Sequence, residues 1–365
     1  MNRDAAACGI PCLTLTEGEK IFLSLWNVYH YIRCRRMINM KIVLFDTKNY
    51  DKKHFDAANR DYGFEIVYLE PALNAHSAVM AKGADVVCPF VNCTVDRTVI
   101  DILSQEGVRL IAMRSAGFNN VDYQYANEKG IPVVRVPAYS PHAVAEHSFA
   151  LLLALVRKLT HAYVRTREFN FSLSGLVGMD LYGKTFGVVG TGKIGRVAIG
   201  IAKGFGMKVL AYDPYPAKGP DVQYTDLDTL LREADVVSLY CPLTKENRHM
   251  INAATIDAMK DTAFLINTSR GALIDSEALV EALKEKKLGG AALDVYEEEA
   301  GIFYTDQSSE GIEDDTLARL ISMPNAIITS HQGYLTEEAL SAISGTTLAN
   351  VKEFEEGKTL TNQVK

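Results

Sequence analysis

The chain is expected to fold as α/β, with two Rossmann-like parallel-sheet units, one flavodoxin-like and one dinucleotide-binding, and a cleft between them. Three observations predict this. From Met40 onward, short apolar runs of strand character alternate with helical stretches. A glycine-rich turn, Gly190-Thr191-Gly192-Lys193-Ile194-Gly195, separates an apolar run from a helical one. A long apolar helix, Pro141 to Leu159, divides the alternation into two blocks.

Residues 1–39 stand apart. They hold Cys8, Cys12 and Cys34 of the six cysteines, and the single tryptophan, Trp26. Their longest apolar run, Ile21 to Ile32, is broken by Ser24, Asn27 and His30 and falls short of the ~20 apolar residues that span a bilayer. Glu17 and Glu19 ahead of that run, with no small-residue cleavage site behind it, argue against a secretory signal. The same acids, and the scarcity of arginine before Arg33, argue against a transit peptide. This segment is read as a leader, either disordered or, in preference, translated upstream of a true start at Met40.

In the first block, strands are placed at Lys41–Asp46, Phe64–Leu69, Asp85–Cys88, Arg109–Met113 and Ile131–Val136, where apolar and β-branched residues cluster. Helices are placed at Lys52–Tyr62, Asp96–Glu106 and Val121–Lys129. In the second block, strands are expected at Lys184–Val189, Lys208–Tyr212, Asp235–Tyr240, Ala263–Asn267, Gly290–Val295 and Ala326–Thr329, with a helix opening at Gly195. A last helix spans Thr336 to Glu355, and too few residues remain after the second block for a third domain. That helix is expected to return to the first domain. The division is therefore 40–140 with 335–365 as a discontinuous substrate domain and 141–334 as the dinucleotide domain, the two crossing segments serving as a hinge.

The glycines let the backbone turn tightly and approach a pyrophosphate, whose charge is stabilised by the amides of a helix N-terminus. Asp213 ends the following strand, 18 residues beyond Gly195, close to the spacing of a ribose-binding acid. A carboxylate there accepts ribose hydroxyls and repels a 2′-phosphate, so NAD is expected over NADP. Asp213 ahead of Pro214 is also an ordinary turn starter.

A net charge of −7 argues against nucleic acid or an anionic membrane as the main partner. The cysteines form no disulfide framework and no zinc spacing, so free thiols, a reducing cytoplasmic setting and no metal are expected.

Open parallel sheets bind ligands beyond the carboxyl ends of their strands, and Arg270, Glu299 and His331 follow predicted strand ends. Reduction of a 2-oxo acid needs a fixed carboxylate, a polarised carbonyl and a proton source. The planar fork of Arg270 suits the first two. A histidine suits the third, and a carboxylate hydrogen-bonded to its ring favours the charged form. Each residue has a plainer alternative. Arg270 could cap a strand turn, Glu299 lies in the acidic run Glu297-Glu298-Glu299, which reads equally as a solvated face, and His331 is one of eight histidines.

The stretches Gly190–Gly195, Asn267-Thr268-Ser269-Arg270-Gly271-Ala272-Leu273, Asp294-Val295-Tyr296-Glu297 and His331 with its preceding strand resemble the D-isomer-specific 2-hydroxy acid dehydrogenases, above all their bacterial fermentative NAD-dependent D-lactate members. Ala116-Gly117-Phe118-Asn119-Asn120-Val121-Asp122, Pro137-Ala138-Tyr139-Ser140-Pro141 and Tyr182-Gly183-Lys184-Thr185 extend the likeness, which covers Met40 to Lys365. The resemblance implies that Arg270, Glu299 and His331 form the catalytic set, with His331 the acid/base, and it selects Glu299 within the acidic run. It implies NAD contacts from Gly190, Gly192, Lys193, Ile194, Gly195, Asp213, Cys241, Pro242, Asn247, Thr268, Ser269, Arg270 and Asp294, the last holding the nicotinamide carboxamide. It further implies that the Val91 and Asn92 amides assist Arg270 on the substrate carboxylate, that Tyr139 walls the pocket, and that the protein is a homodimer or a higher homo-oligomer. The stretch Glu299 to Leu317, with Phe303 and Tyr304, resembles an insertion of the D-lactate and D-2-hydroxyisocaproate members. A wider pocket would favour another 2-oxo acid, and the same fold also serves NAD-sensing transcriptional corepressors.

Overall fold

The computed structural model describes residues 40–216 and 222–365, so the expectations for residues 1–39 lie outside the described residues. Two parallel sheets dominate. The first has the order β2-β1-β3-β4-β5, from β1 (Lys41–Leu44), β2 (Glu65–Tyr68), β3 (Val86–Cys88), β4 (Leu110–Ala112) and β5 (Val133–Val134). The second has the order β12-β11-β10-β9-β6-β7-β8, from β6 (Thr185–Val189), β7 (Lys208–Tyr212), β8 (Gln223–Tyr224), β9 (Val236–Leu239), β10 (Phe264–Asn267), β11 (Gly290–Leu293) and β12 (Ala326–Ile328).

Both sheets are buried on two faces, which is why their strands read as continuous apolar runs rather than alternating ones. The period of two still sorts the side chains. Val43, Phe45, Val87 and Ile111 point into one core, while Ile42, Leu44, Val86 and Leu110 point into the other. In the second sheet Val189, Val237 and Leu265 face one side, and Val188, Val236 and Ile266 the other. Each such side chain contributes about 1.5–3 kcal/mol on burial. The terminal helix Glu337–Glu355 lies against the helix Asn49–Asn59 and sends Leu348 and Val351 into the core beside β1 and β3.

Element boundaries differ where polar contacts override periodicity. The first helix begins at Asn49 rather than Lys52, because the Asp51 carboxylate accepts the Lys48 N–H at 3.0 Å and starts the turn early. The long apolar helix runs only Pro141–Val156. Its start follows from Ser140, whose side chain accepts the Ala143 N–H, and from Pro141 in the first turn. It stops where Lys158 adopts a left-handed backbone, and a separate helix, Leu159–Arg167, follows. The helices Leu227–Glu233, Ser276–Lys284 and Asp315–Ser322 were not anticipated, although Asp226, Asp275 and Asp314 cap them in the usual way.

In the second sheet the strand order reverses between β6 and its neighbours β7 and β9. Such a switch point opens a crevice at the strand ends, and the glycine turn stands there.

Candidate active site

The glycine turn leaves β6 and enters the helix Lys193–Gly204, whose N-cap is Gly192. Gly190 has φ +96°, and a Cβ on it would meet the Cys241 amide nitrogen at 2.8 Å. A Cβ on Gly195 would meet the Gly190 carbonyl oxygen at 2.1 Å. Around Gly192 there is open space instead, at the helix end whose first amides have no intrahelical acceptor. That cradle fits a pyrophosphate. Lys193 is exposed and Ile194 half-buried beside it.

Asp213 follows β7 and turns back onto this loop. The Thr191 N–H and hydroxyl donate to one of its oxygens at 2.7 and 2.8 Å, and the Tyr215 N–H to the other at 2.9 Å. Burial works against its charge, but these donors outweigh it and hold the carboxyl below the usual range. It stays ionised, as exclusion of a 2′-phosphate requires.

The β9 and β10 ends supply the facing wall. Ser269 donates to the Cys241 carbonyl at 3.1 Å, which locks the two loops together. Asn247 donates to the Pro242 carbonyl at 2.8 Å and accepts the Thr244 N–H at 2.7 Å, so its side chain shapes the loop. Burial pushes the Cys241 thiol up to about 11. The Thr268 hydroxyl is buried with no hydrogen-bond partner among the described residues.

Glu299 and His331, 32 residues apart in sequence, meet: Nδ1 of the imidazole lies 2.9 Å from Oε1 of the carboxylate, and the second oxygen accepts the Tyr296 N–H at 3.1 Å. Both side chains are partly exposed. Within the acidic run the structure separates the roles, since Glu297 pairs with Arg248 and His249 and Glu298 is exposed. Arg270 sits after β10, its Nη1 donating to the Ser269 carbonyl at 2.6 Å. Its Nη2 lies over Gly117 of the first block, 2.7 Å from where a Cβ would stand. A guanidinium seated there reaches across the cleft.

Asp294 is almost fully buried. One oxygen accepts the Gln332 N–H at 2.8 Å, the other the Gly333 N–H at 2.7 Å, and Thr329 and His147 add further contacts. Burial opposes its charge, yet His147, Thr329 and the loop amides lower it further than burial raises it. Its carboxylate thus clasps the loop that carries His331.

On the first-block side, no protein acceptor among the described residues takes the Val91 or Asn92 N–H. The Asn92 amide group donates to the Phe303 carbonyl at 3.1 Å. Tyr139 is half-buried and packs edge-on to Tyr334 at 6.3 Å between ring centres, and burial pushes its phenol upward against the opposing Arg270 charge.

Known proteins resemble the chain along most of its length. Residues 149–333 match the description D-isomer specific 2-hydroxyacid dehydrogenase, NAD binding domain. The D-lactate dehydrogenase of Escherichia coli (strain K12) is 49% identical over 328 residues, 89% of this chain and 100% of that protein. The chain belongs to the D-isomer specific 2-hydroxyacid dehydrogenase family. The apo-structure of D-lactate dehydrogenase from Escherichia coli superposes with a TM-score of 0.83 at 48% identity, covering 89% of this chain and 100% of that one. A D-lactate dehydrogenase with NAD+ from Lactobacillus jensenii does so at 0.77 and 30% identity, with the same coverage. The chain is accordingly an NAD-dependent oxidoreductase of small hydroxy or oxo acids.

Two buried or partly buried polar residues of this dehydrogenase escaped sequence reasoning. His147 lies on the long apolar helix and reaches Asp294 at 3.2 Å, where a histidine one turn from Ala143, Val144, Ala150 and Leu151 was the available signal. Arg114 is buried, donates to the Phe45, Asp46 and Cys88 carbonyls at 2.8–3.0 Å, and lies 4.7 Å from the Phe90 ring centre. It directly follows the predicted strand Arg109–Met113, a position of the kind that singled out Arg270, but nothing in its local sequence shows that it is buried. Among the described residues, no helix is long and apolar enough to cross a membrane.

Proposed function

We propose that the protein is a D-lactate dehydrogenase, interconverting pyruvate, NADH and a proton with D-lactate and NAD. The observation that carries this reading is the Glu299–His331 pair at 2.9 Å, on the loops that follow β11 and β12 of the sheet whose β6 leads into the glycine turn.

When bound, the dinucleotide supplies the two-electron chemistry. The Arg270 fork holds the substrate carboxylate and polarises its carbonyl, aided by the Val91 and Asn92 amides. Glu299 occupies Nδ1, which leaves Nε2 of His331 to deliver a proton to the carbonyl oxygen in reduction and to remove it in oxidation. Gly190, Gly192, Lys193, Ile194, Gly195, Asp213, Cys241, Pro242, Asn247, Thr268, Ser269, Arg270 and Asp294 form the NAD site in this reading. Asp294 acts chiefly by holding the His331 loop, and Tyr139 walls the pocket with Tyr334. The cleft lies between a unit of residues 40–140 with 335–365 and a unit of residues 141–334.

A homodimer in the cytoplasm completes the proposal. Phe169, Phe171, Leu173, Val177 and Tyr182 follow one another in the dinucleotide unit with 72–88% of their surface exposed, which suits cover by a second copy. Cys88, Cys93 and Cys241 are free thiols, in keeping with a reducing compartment.

The test is NADH oxidation across a panel of 2-oxo acids, with the chirality of the lactate determined. D-lactate from pyruvate is the expected product. Preference for branched 2-oxo acids would move the assignment to a D-2-hydroxyisocaproate-type enzyme, and NADH binding without turnover would favour a sensing corepressor.

A further inference from the structure

We propose that Tyr304 is a positioning residue for His331, setting the imidazole through its backbone carbonyl and tying that placement to the substrate loop Phe90–Asn92. The inference rests on the reading of His331 as proton donor.

His331 and Tyr304 both occupy the left-handed backbone region, with φ of +54° and +65°. Side chains other than glycine rarely settle there unless their surroundings hold them. The two hold each other: the Tyr304 hydroxyl donates to the His331 carbonyl at 3.0 Å, and their rings lie 6.0 Å apart at 33°. Burial pushes the phenol upward, with Glu299 and Asp294 adding to the effect, so the hydroxyl remains a donor at any working pH.

The turn that carries Tyr304 begins at Glu299, whose carbonyl accepts the Ile302 and Phe303 N–H groups at 3.1 and 3.0 Å. One short turn therefore grips His331 twice, by Glu299 on ring Nδ1 and by Tyr304 on the backbone. The same turn reaches the other side of the cleft. The Phe303 carbonyl accepts from the Asn92 side chain at 3.1 Å, and the Tyr304 ring meets Phe90 edge-on at 5.1 Å. A shift of the substrate loop is thus felt at the carbonyl that orients the proton donor.

A double-mutant cycle tests the proposal, with pyruvate turnover and NADH binding measured on Tyr304→Phe, His331→Gln and the double variant. Tyr304→Phe keeps the ring and loses one hydrogen bond, so kcat is expected to fall about 3- to 10-fold while NADH affinity and the melting temperature hold. Added to His331→Gln, it should lower kcat no further, because its effect runs through the imidazole. A kcat equal to wild type, or losses that multiply in the double variant, would overturn the proposal while leaving His331 its role. A His331→Gln enzyme with full turnover would instead defeat the reading of the site, and this proposal with it. Tyr304→Leu also removes the Phe90 contact and is expected to raise the KM for pyruvate; an unchanged KM would refute the link to the substrate loop.

Discussion

Replacing Gly117 by alanine is the most direct probe of how the cleft seats Arg270. The backbone tolerates the change, because Gly117 does not occupy the left-handed region. The added Cβ would stand 2.7 Å from Nη2 of Arg270, whereas such atoms rest at about 3.5–4.0 Å. The neighbour is the far end of a flexible side chain, so the guanidinium gives way by roughly 1 Å and the fold stays intact. Misplacement of about 1 Å at a substrate anchor can cost up to about 10²-fold. We therefore expect kcat/KM for pyruvate to fall about 10- to 100-fold, or ~1.4–2.8 kcal/mol of transition-state stabilisation. The melting temperature should stay at its wild-type value. A folded variant with kcat/KM within about twofold of wild type would refute the reasoning, since substrate would then be held without the guanidinium in its observed seat.

His331→Gln should bind NADH normally and lower turnover by about 10²–10⁴-fold, the range for acid–base catalysis, as steady-state assays would show. In Glu299→Gln the His331 ring loses the carboxylate 2.9 Å from its Nδ1, so kcat for pyruvate should fall about 10-fold or more; an unchanged kcat would remove Glu299 from the mechanism. Asp213→Ser should raise the NADPH-to-NADH ratio of kcat/KM about tenfold or more, because a carboxylate repelling the 2′-phosphate is gone. The Asp294 carboxyl is held below its ordinary 3.8, so its stabilisation is complete above that pH and is lost as pH falls through the lower folded-state value. Asp294→Asn should therefore destabilise by about 1–3 kcal/mol at neutral pH, with the gap to wild type narrowing as acid melts are taken below pH 3.8.

By itself the sequence determined the parallel α/β class, the β-strands that form both sheets except β8, and the glycine turn at the switch point. The reason is local: apolar runs must be covered on both faces, and the backbone at Gly190 and Gly195 has no room for a Cβ. Helix ends were less legible. Asp51 and Lys158 set two of them through one hydrogen bond and one left-handed residue, neither of which disturbs hydrophobic periodicity. Arg270, Glu299 and His331 could be nominated as types suited to the chemistry, but in Glu297-Glu298-Glu299 periodicity could not choose the partner of His331. The tertiary structure gives the physical reason that Glu299, which the family resemblance selects, is that partner: Glu297 is spent on Arg248 and His249, and Glu299 stands at the imidazole. It alone seated Arg270 on Gly117, placed His147 and the His331 loop around Asp294, and drew Tyr304 to the His331 carbonyl. These contacts join residues from tens to well over a hundred positions apart, and such distances are fixed by how helices and sheets pack rather than by anything a short window of chain contains.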